Sequence, residues 1–204
     1  MTLYKKILIT AFIALFTWSI INPVLTYHYW FLETSPILIA ILVFILFGRY
    51  FKLSDTSYAL IVLYLALPLI ASHYGVEGVP FGKTLGHWLG TERNMYDRLE
   101  HFTFGLIATF PIRDIVLYIM QKRNFWSLYY IPLETVISLS AIYEIFEWVA
   151  AVTVNPVLAG LFYGSQGDIF DTPKDMAVAT IGALIAITLT FIYHYYKKKK
   201  VPQI

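Results

Sequence analysis

Residues 174–196 read KDMAVATIGALIAITLTFIYHYY, an apolar run headed by Lys174 and Asp175 and followed by the four lysines Lys197 to Lys200. A bilayer's hydrocarbon core takes about 20 apolar residues of helix to cross, so this stretch reads as a membrane span. Its aromatic end and the lysine tail suit a membrane–water interface, and the tail reads as a cytoplasmic anchor. Working outward from it, similar runs occupy about residues 7–26, 35–51, 56–73, 99–120 and 127–153. The sequence therefore predicts an all-α, polytopic membrane helix bundle of six spans, forming one integral membrane domain over residues 1–204.

Composition agrees, because only 14% of residues are charged against about 25% in soluble domains. The chain has no cysteine, which excludes disulfides, thiolate nucleophiles and cysteine-held clusters. The lysine tail is the one basic run, so nucleic acid is not an expected partner; the lipid bilayer is. Lys5 and Lys6 before the first apolar run mimic a signal peptide. No small-residue cleavage site follows, and the run ends at Asn22-Pro23 before the aromatic belt Tyr27-His28-Tyr29-Trp30, so it reads as an uncleaved first span.

Charge distribution predicts the orientation. Lys5 and Lys6, Arg49 and Lys52, Lys122 and Arg123, and the final lysines all fall on one side of six spans, which places both termini in the cytoplasm. Lys83, Arg93 and Arg98, in the long connection 74–98, oppose this pattern and are outnumbered. Glu33 reads as part of the first outer connection. Leu85, Trp88 and Leu89 suggest that the long connection lays a short helix in the interface.

Three polar clusters then share the outer side. Asp97 and His101 are four apart, on one helix face, where they can share a cation or orient one another. Arg98 sits beside them, and a planar guanidinium suits a phosphate or carboxylate. Glu144 and Glu147 are three apart near the end of span five; such neighbours repel unless a metal ion or a proton lies between them. Asp168, Asp171 and Asp175 form a D-x-x-D-x-x-x-D series, with Thr172-Pro173 suggesting a helix start and Asp171 near its cap. Charges at the edge of hydrocarbon usually have a partner or a job.

Below Asp175 the same face carries Ala179, Gly182 and Ala186, and His101, Gly105 and Ala108 make a matching stripe on span four. Small residues let helices approach closely, so spans four and six are expected to meet there and bring His101 towards Asp175. In the inner half, Arg113 and Asp114 follow Pro111, which is expected to kink or end the helix; they read as a structural ion pair, with part of a conduction path as the alternative, and Glu134 is a further partner for Arg113.

Carboxylates with histidine and no thiolate favour magnesium, manganese, calcium or zinc. No H-E-x-x-H, G-x-S-x-G or glycine-rich phosphate loop appears. The expected cofactor is a divalent metal, with Asp97, His101, Glu144, Glu147, Asp168 and Asp175 as ligands. His101, Glu147 and Asp171 are the acid/base candidates, and Arg93, Arg98 and His73 the substrate-binding ones. The expected substrate is a lipid or envelope-precursor head group. A small ion- or proton-coupled transporter and a non-catalytic membrane scaffold are the alternatives.

The segments His73-Tyr74 to Val79-Pro80-Phe81-Gly82, Arg93-Asn94-x-Tyr96-Asp97-Arg98-x-x-His101-Phe102, Tyr143-Glu144-x-x-Glu147-Trp148 and Gln166-Gly167-Asp168-x-x-Asp171-Thr172-x-x-Asp175-Met176 resemble the YjdF-type bacterial inner-membrane proteins. The resemblance covers most of the chain beyond the first span and implies an inner-membrane location. Departures are Glu100, where glycine is usual, and Pro173, where glutamine is usual. A weaker similarity, to VanZ-like membrane proteins, rests on isolated acidic residues and a histidine.

Overall fold

The structure, a computed structural model, describes residues 2–154 and 156–199. Side chains of Leu161, Tyr163 and Lys197 to Lys199, like Lys200 itself, lie outside the described set, and so does the proposed lysine anchor. Among the described residues there are helices and no strands. They are α1 (Leu3–Ile20), α2 (Tyr27–Phe47), α3 (Asp55–Tyr74), α4 (Pro80–Trp88), α5 (Tyr96–Met120), α6 (Ile131–Thr153), α7 (Pro156–Tyr163) and α8 (Asp171–Lys199). Six of these, α6 together with a preceding π-helical turn at Trp126–Tyr130, are long and apolar enough to cross a membrane.

Local chemistry sets the starts. The hydroxyls of Thr2, Thr26 and Ser54 accept from the backbone N–H groups of Lys5, Tyr29 and Ser57, so the first turns of α1, α2 and α3 do not leave all their donors bare. Asp114 of α5 reinforces the third, accepting from Ser54 N at 3.0 Å and Ser57 Oγ at 2.6 Å.

Successive spans alternate in direction. Tyr4 donates to the Asp55 carbonyl at one end of α1 and α3, while His73 Nδ1 lies 3.3 Å from the Ser19 carbonyl at the other. Tyr29, opening α2, accepts from Val76 N just past α3. α5 and α8 run side by side in the same direction. Arg98 meets Asp171 and Asp175 at their heads, and Arg113 Nη1 donates to Thr190 Oγ1 at 3.2 Å near their far ends. Between these points the backbones touch: a Cβ on Gly105 would overlap the Ala179 carbonyl, and one on Gly182 the Phe102 carbonyl. Close approach of this kind is how small-residue stripes hold membrane helices together.

Several expectations are corrected. α2 begins at Tyr27, not near 35, so Glu33 is inside a span and 5% exposed rather than in an outer loop. The segment Glu33-Thr34-Ser35-Pro36 looks like a break, yet the helix runs through it. Pro36 has no N–H for the Leu32 carbonyl, and Ser35 Oγ donates to that carbonyl instead, at 2.8 Å. Pro111 likewise does not end α5. Arg113 and Asp114 point apart, to Thr190 and to the start of α3, instead of forming a pair. The connection between α3 and α5 does hold a short helix, α4, with Phe81 and Trp88 exposed and Gly82 and Gly86 buried. Between the last two spans lies a further apolar helix, α7, whose Phe162 packs with Leu158, Tyr29 of α2 and Ala150 of α6.

Candidate functional site

The heads of α5 and α8 and the tail of α6 converge at one end of the bundle. Asn94 shapes the entry to α5. Its side chain donates to the Glu77 and Val79 carbonyls, at 2.8 and 3.0 Å, and accepts from Tyr96 N. Its backbone exchanges two hydrogen bonds with the Gln166 amide, which ties this entry to the loop before α8. Asp168 accepts from Phe170 N within its own turn and from Lys174 Nζ at 2.6 Å. The Lys174 ammonium and that N–H hold its carboxyl below the usual carboxylate range. Burial pushes Glu77 above that range, opposed by the Arg93 guanidinium.

Two guanidinium groups cross-link the helix heads. Arg98 reaches Asp171 Oδ1 at 2.6 Å and Asp168 Oδ2 at 3.4 Å, and pairs directly with Asp175. Arg93 reaches Asp171 Oδ1 at 2.5 Å and donates to the Ser165 and Gly164 carbonyls. Both arginines, expected to hold a substrate anion, therefore have their charge met by the chain's own carboxylates.

Behind this layer lies the group Asp97, His101 and Asp175, with one potential ligand atom from each within 4.8 Å of the others. His101 Nε2 is 3.6 Å from Asp97 Oδ1 and 3.3 Å from Glu144 Oε1. His101 is buried, and its ring is edge-on to Tyr143 at 5.5 Å. Asp175 Oδ1 is buried with no hydrogen-bond partner among the described residues, and Glu144 Oε1, also buried, has the His101 imidazole beside it but no hydrogen bond of good geometry. An unpaired buried carboxylate oxygen is costly, and a cation is the simplest remedy.

Sequence reasoning missed two members of this region. Glu33 and Glu100, both buried, line a space of about 10 Å³ together with Asp97, Glu147 and Tyr143. That is room for about one water or one ion. In the sequence Glu100 stands out only as a departure from a family pattern, and Glu33 falls in a connection because Thr34-Ser35-Pro36 imitates a break. Glu147 faces this space rather than the Asp97–His101–Asp175 group. His73 stays apart from the cluster, stacked on Trp18 at 4.3 Å.

Carboxyl groups here outnumber their cations: among the described residues, Arg93 and Arg98 are the lysines or arginines that pair with any of Glu33, Asp97, Glu100, Glu144, Glu147, Asp171 and Asp175. Such an excess in a low-dielectric site calls for bound protons or a bound cation.

Known proteins place the chain. Residues 4–196 match the family described as Predicted membrane protein (DUF2238). The chain is 32% identical over 165 residues, 81% of its length and 78% of the relative's, to the inner membrane protein YjdF of Escherichia coli (strain K12). No solved structure matches it. With six membrane-length helices and a match along nearly its whole length, the chain belongs to this DUF2238 family of multipass inner-membrane proteins.

Proposed function

We propose that the protein is a divalent-cation-dependent enzyme acting on lipid or envelope-precursor head groups at the outer face of the inner membrane. The observation that carries this reading is the Asp97–His101–Asp175 group, with Asp175 Oδ1 left without a partner beside it. Oxygen and imidazole ligands suit magnesium, manganese or zinc. The cation would polarise a phosphoryl or carbonyl oxygen, or lower the pKa of a bound water. Glu144, 3.3 Å from His101, is placed to take or give the proton, and Glu147 backs it from the adjoining space. Arg93, Arg98 and Asp171 position the carboxylates. The chain would act as one membrane domain, with both termini cytoplasmic by the positive-inside rule.

Transport finds less support. A second cavity of about 390 Å³ lies in the opposite half, but its walls are mostly apolar and it holds Arg113, a charge that opposes cation passage. The test is turnover in vesicles of extracted bacterial lipid. Head-group release should require added manganese or magnesium, stop with chelator, and be lost in Glu144→Gln. No release with any divalent metal would contradict the reading.

A further inference from the structure

A cleft of about 240 Å³ opens between α2, α3, α5 and α6. Its two ends differ in chemistry. The deep end carries Glu33, Asp97 and Glu100 beside His101. The outer end is aliphatic, with Ile37, Ala40, Leu65 and Leu139. Ala40 and Leu139 are exposed in the middle of their spans, where the surroundings are lipid tails and not water. The mouth therefore faces sideways into the bilayer. No lysine or arginine lines the cleft.

A second, independent feature points to an occupant. Ser140 lines the same cleft and is 1% exposed, yet its hydroxyl has no partner among the described residues. The hydroxyls of Thr109 and Thr135 behave differently, each donating to the carbonyl one turn back, at 2.6 and 2.8 Å. A buried hydroxyl that forgoes this bond is available to a ligand.

We infer that this cleft binds an amphiphile with an aliphatic tail and an ammonium head, entering laterally from the membrane. The inference rests on the lipid-directed reading above and specifies its substrate class. An ammonium supplies the positive charge that Glu33 and Glu100 lack, donates to carboxylates and to Ser140, and has the aromatic rings of Tyr64, Phe104 and Tyr143 in the lining around it. An anionic head would meet the carboxyls of Glu33, Asp97 and Glu100 with no lysine or arginine in the lining to offset them. The cleft takes the head and the first methylenes, and the rest of a long tail stays among the lipids.

The experiment uses the full chain in phosphatidylcholine vesicles, with spin-labelled stearylamine, stearyl alcohol and phosphatidylglycerol as probes. The protein-immobilised fraction should correspond to about tenfold tighter association of the amine than of the alcohol, the scale of one charge-assisted hydrogen bond. A Glu33→Gln, Glu100→Gln double variant should lower the amine to the alcohol's level. Ala40→Trp, at the lipid-facing mouth, should reduce retention of both. Equal retention of amine and alcohol, stronger retention of phosphatidylglycerol, or an amine preference that survives both variants would overturn the inference. Manganese uptake in the same vesicles separates the two proposals. Uptake without amine preference defeats the cleft alone, and amine preference without uptake defeats the metal reading alone.

Discussion

Arg98 is the residue on which the site most depends. One guanidinium touches Asp168, Asp171 and Asp175, and its planar fork suits several carboxylates at once. Arg98→Met would leave Asp175 without an ion-pair partner among the described residues and Asp171 with Arg93 alone. Removing one partner of a buried pair costs about 3–5 kcal/mol, so unfolding in detergent should shift by that amount, and Arg98→Lys should restore only part of it. An unchanged midpoint in Arg98→Met would mean that the carboxylates are neutral. Asp168 makes a smaller, pH-dependent prediction. Its carboxyl is held low by Lys174, so its contribution is present above the ordinary aspartate value of about 3.9 and is lost as pH falls through the lower folded-state value. Thermal midpoints measured from neutral pH into acid should fall less steeply in Lys174→Met than in the parent, and superimposable curves would remove this pair from the account.

At the scale of elements, the contact of α5 with α8 positions the chemistry. Gly105 and Gly182 let the backbones meet, and that contact sets Asp175 beside Asp97 and His101. Gly105→Ala should destabilise by about 1–3 kcal/mol, the range for overpacking a filled interface. Gly160→Ala in α7, where an added Cβ meets nothing within 4 Å, should stay within about 0.5 kcal/mol. Comparable melting of both variants would contradict the backbone contact. This pairing was legible beforehand, because small residues at helical spacing stand out against leucine and isoleucine in a span. So were the number of spans, six, and the convergence of Asp97, His101, Glu144 and Asp175. Glu33 was not legible, because Thr34, Ser35 and Pro36 imitate a loop. The structure shows Ser35 satisfying the carbonyl that Pro36 frees. Nor was the occupation of Arg93 and Arg98 by Asp171 and Asp175, since spacing along a chain does not say which charges across helices will pair.

For the whole molecule, the alternating helices put the site, α4 and α7 at one end of the bundle, which the proposed topology, argued from the positive-inside rule, sets on the outer side. The chain has no cysteine, so single cysteines report on sidedness without background. In intact cells a membrane-impermeant maleimide should label Thr91→Cys and should reach Lys52→Cys only after permeabilisation; the reverse pattern would invert the bundle. The central claim is that a cation completes the Asp97–His101–Asp175 group. Its most direct test is elemental analysis of the detergent-purified protein after manganese loading, the parent beside His101→Ala and Asp175→Asn variants of matched thermal stability. The account predicts about one bound metal per chain in the parent, and at least tenfold weaker retention on losing one ligand, at the scale of metal-site losses. No bound divalent metal in the parent, or equal metal in all three, would contradict it.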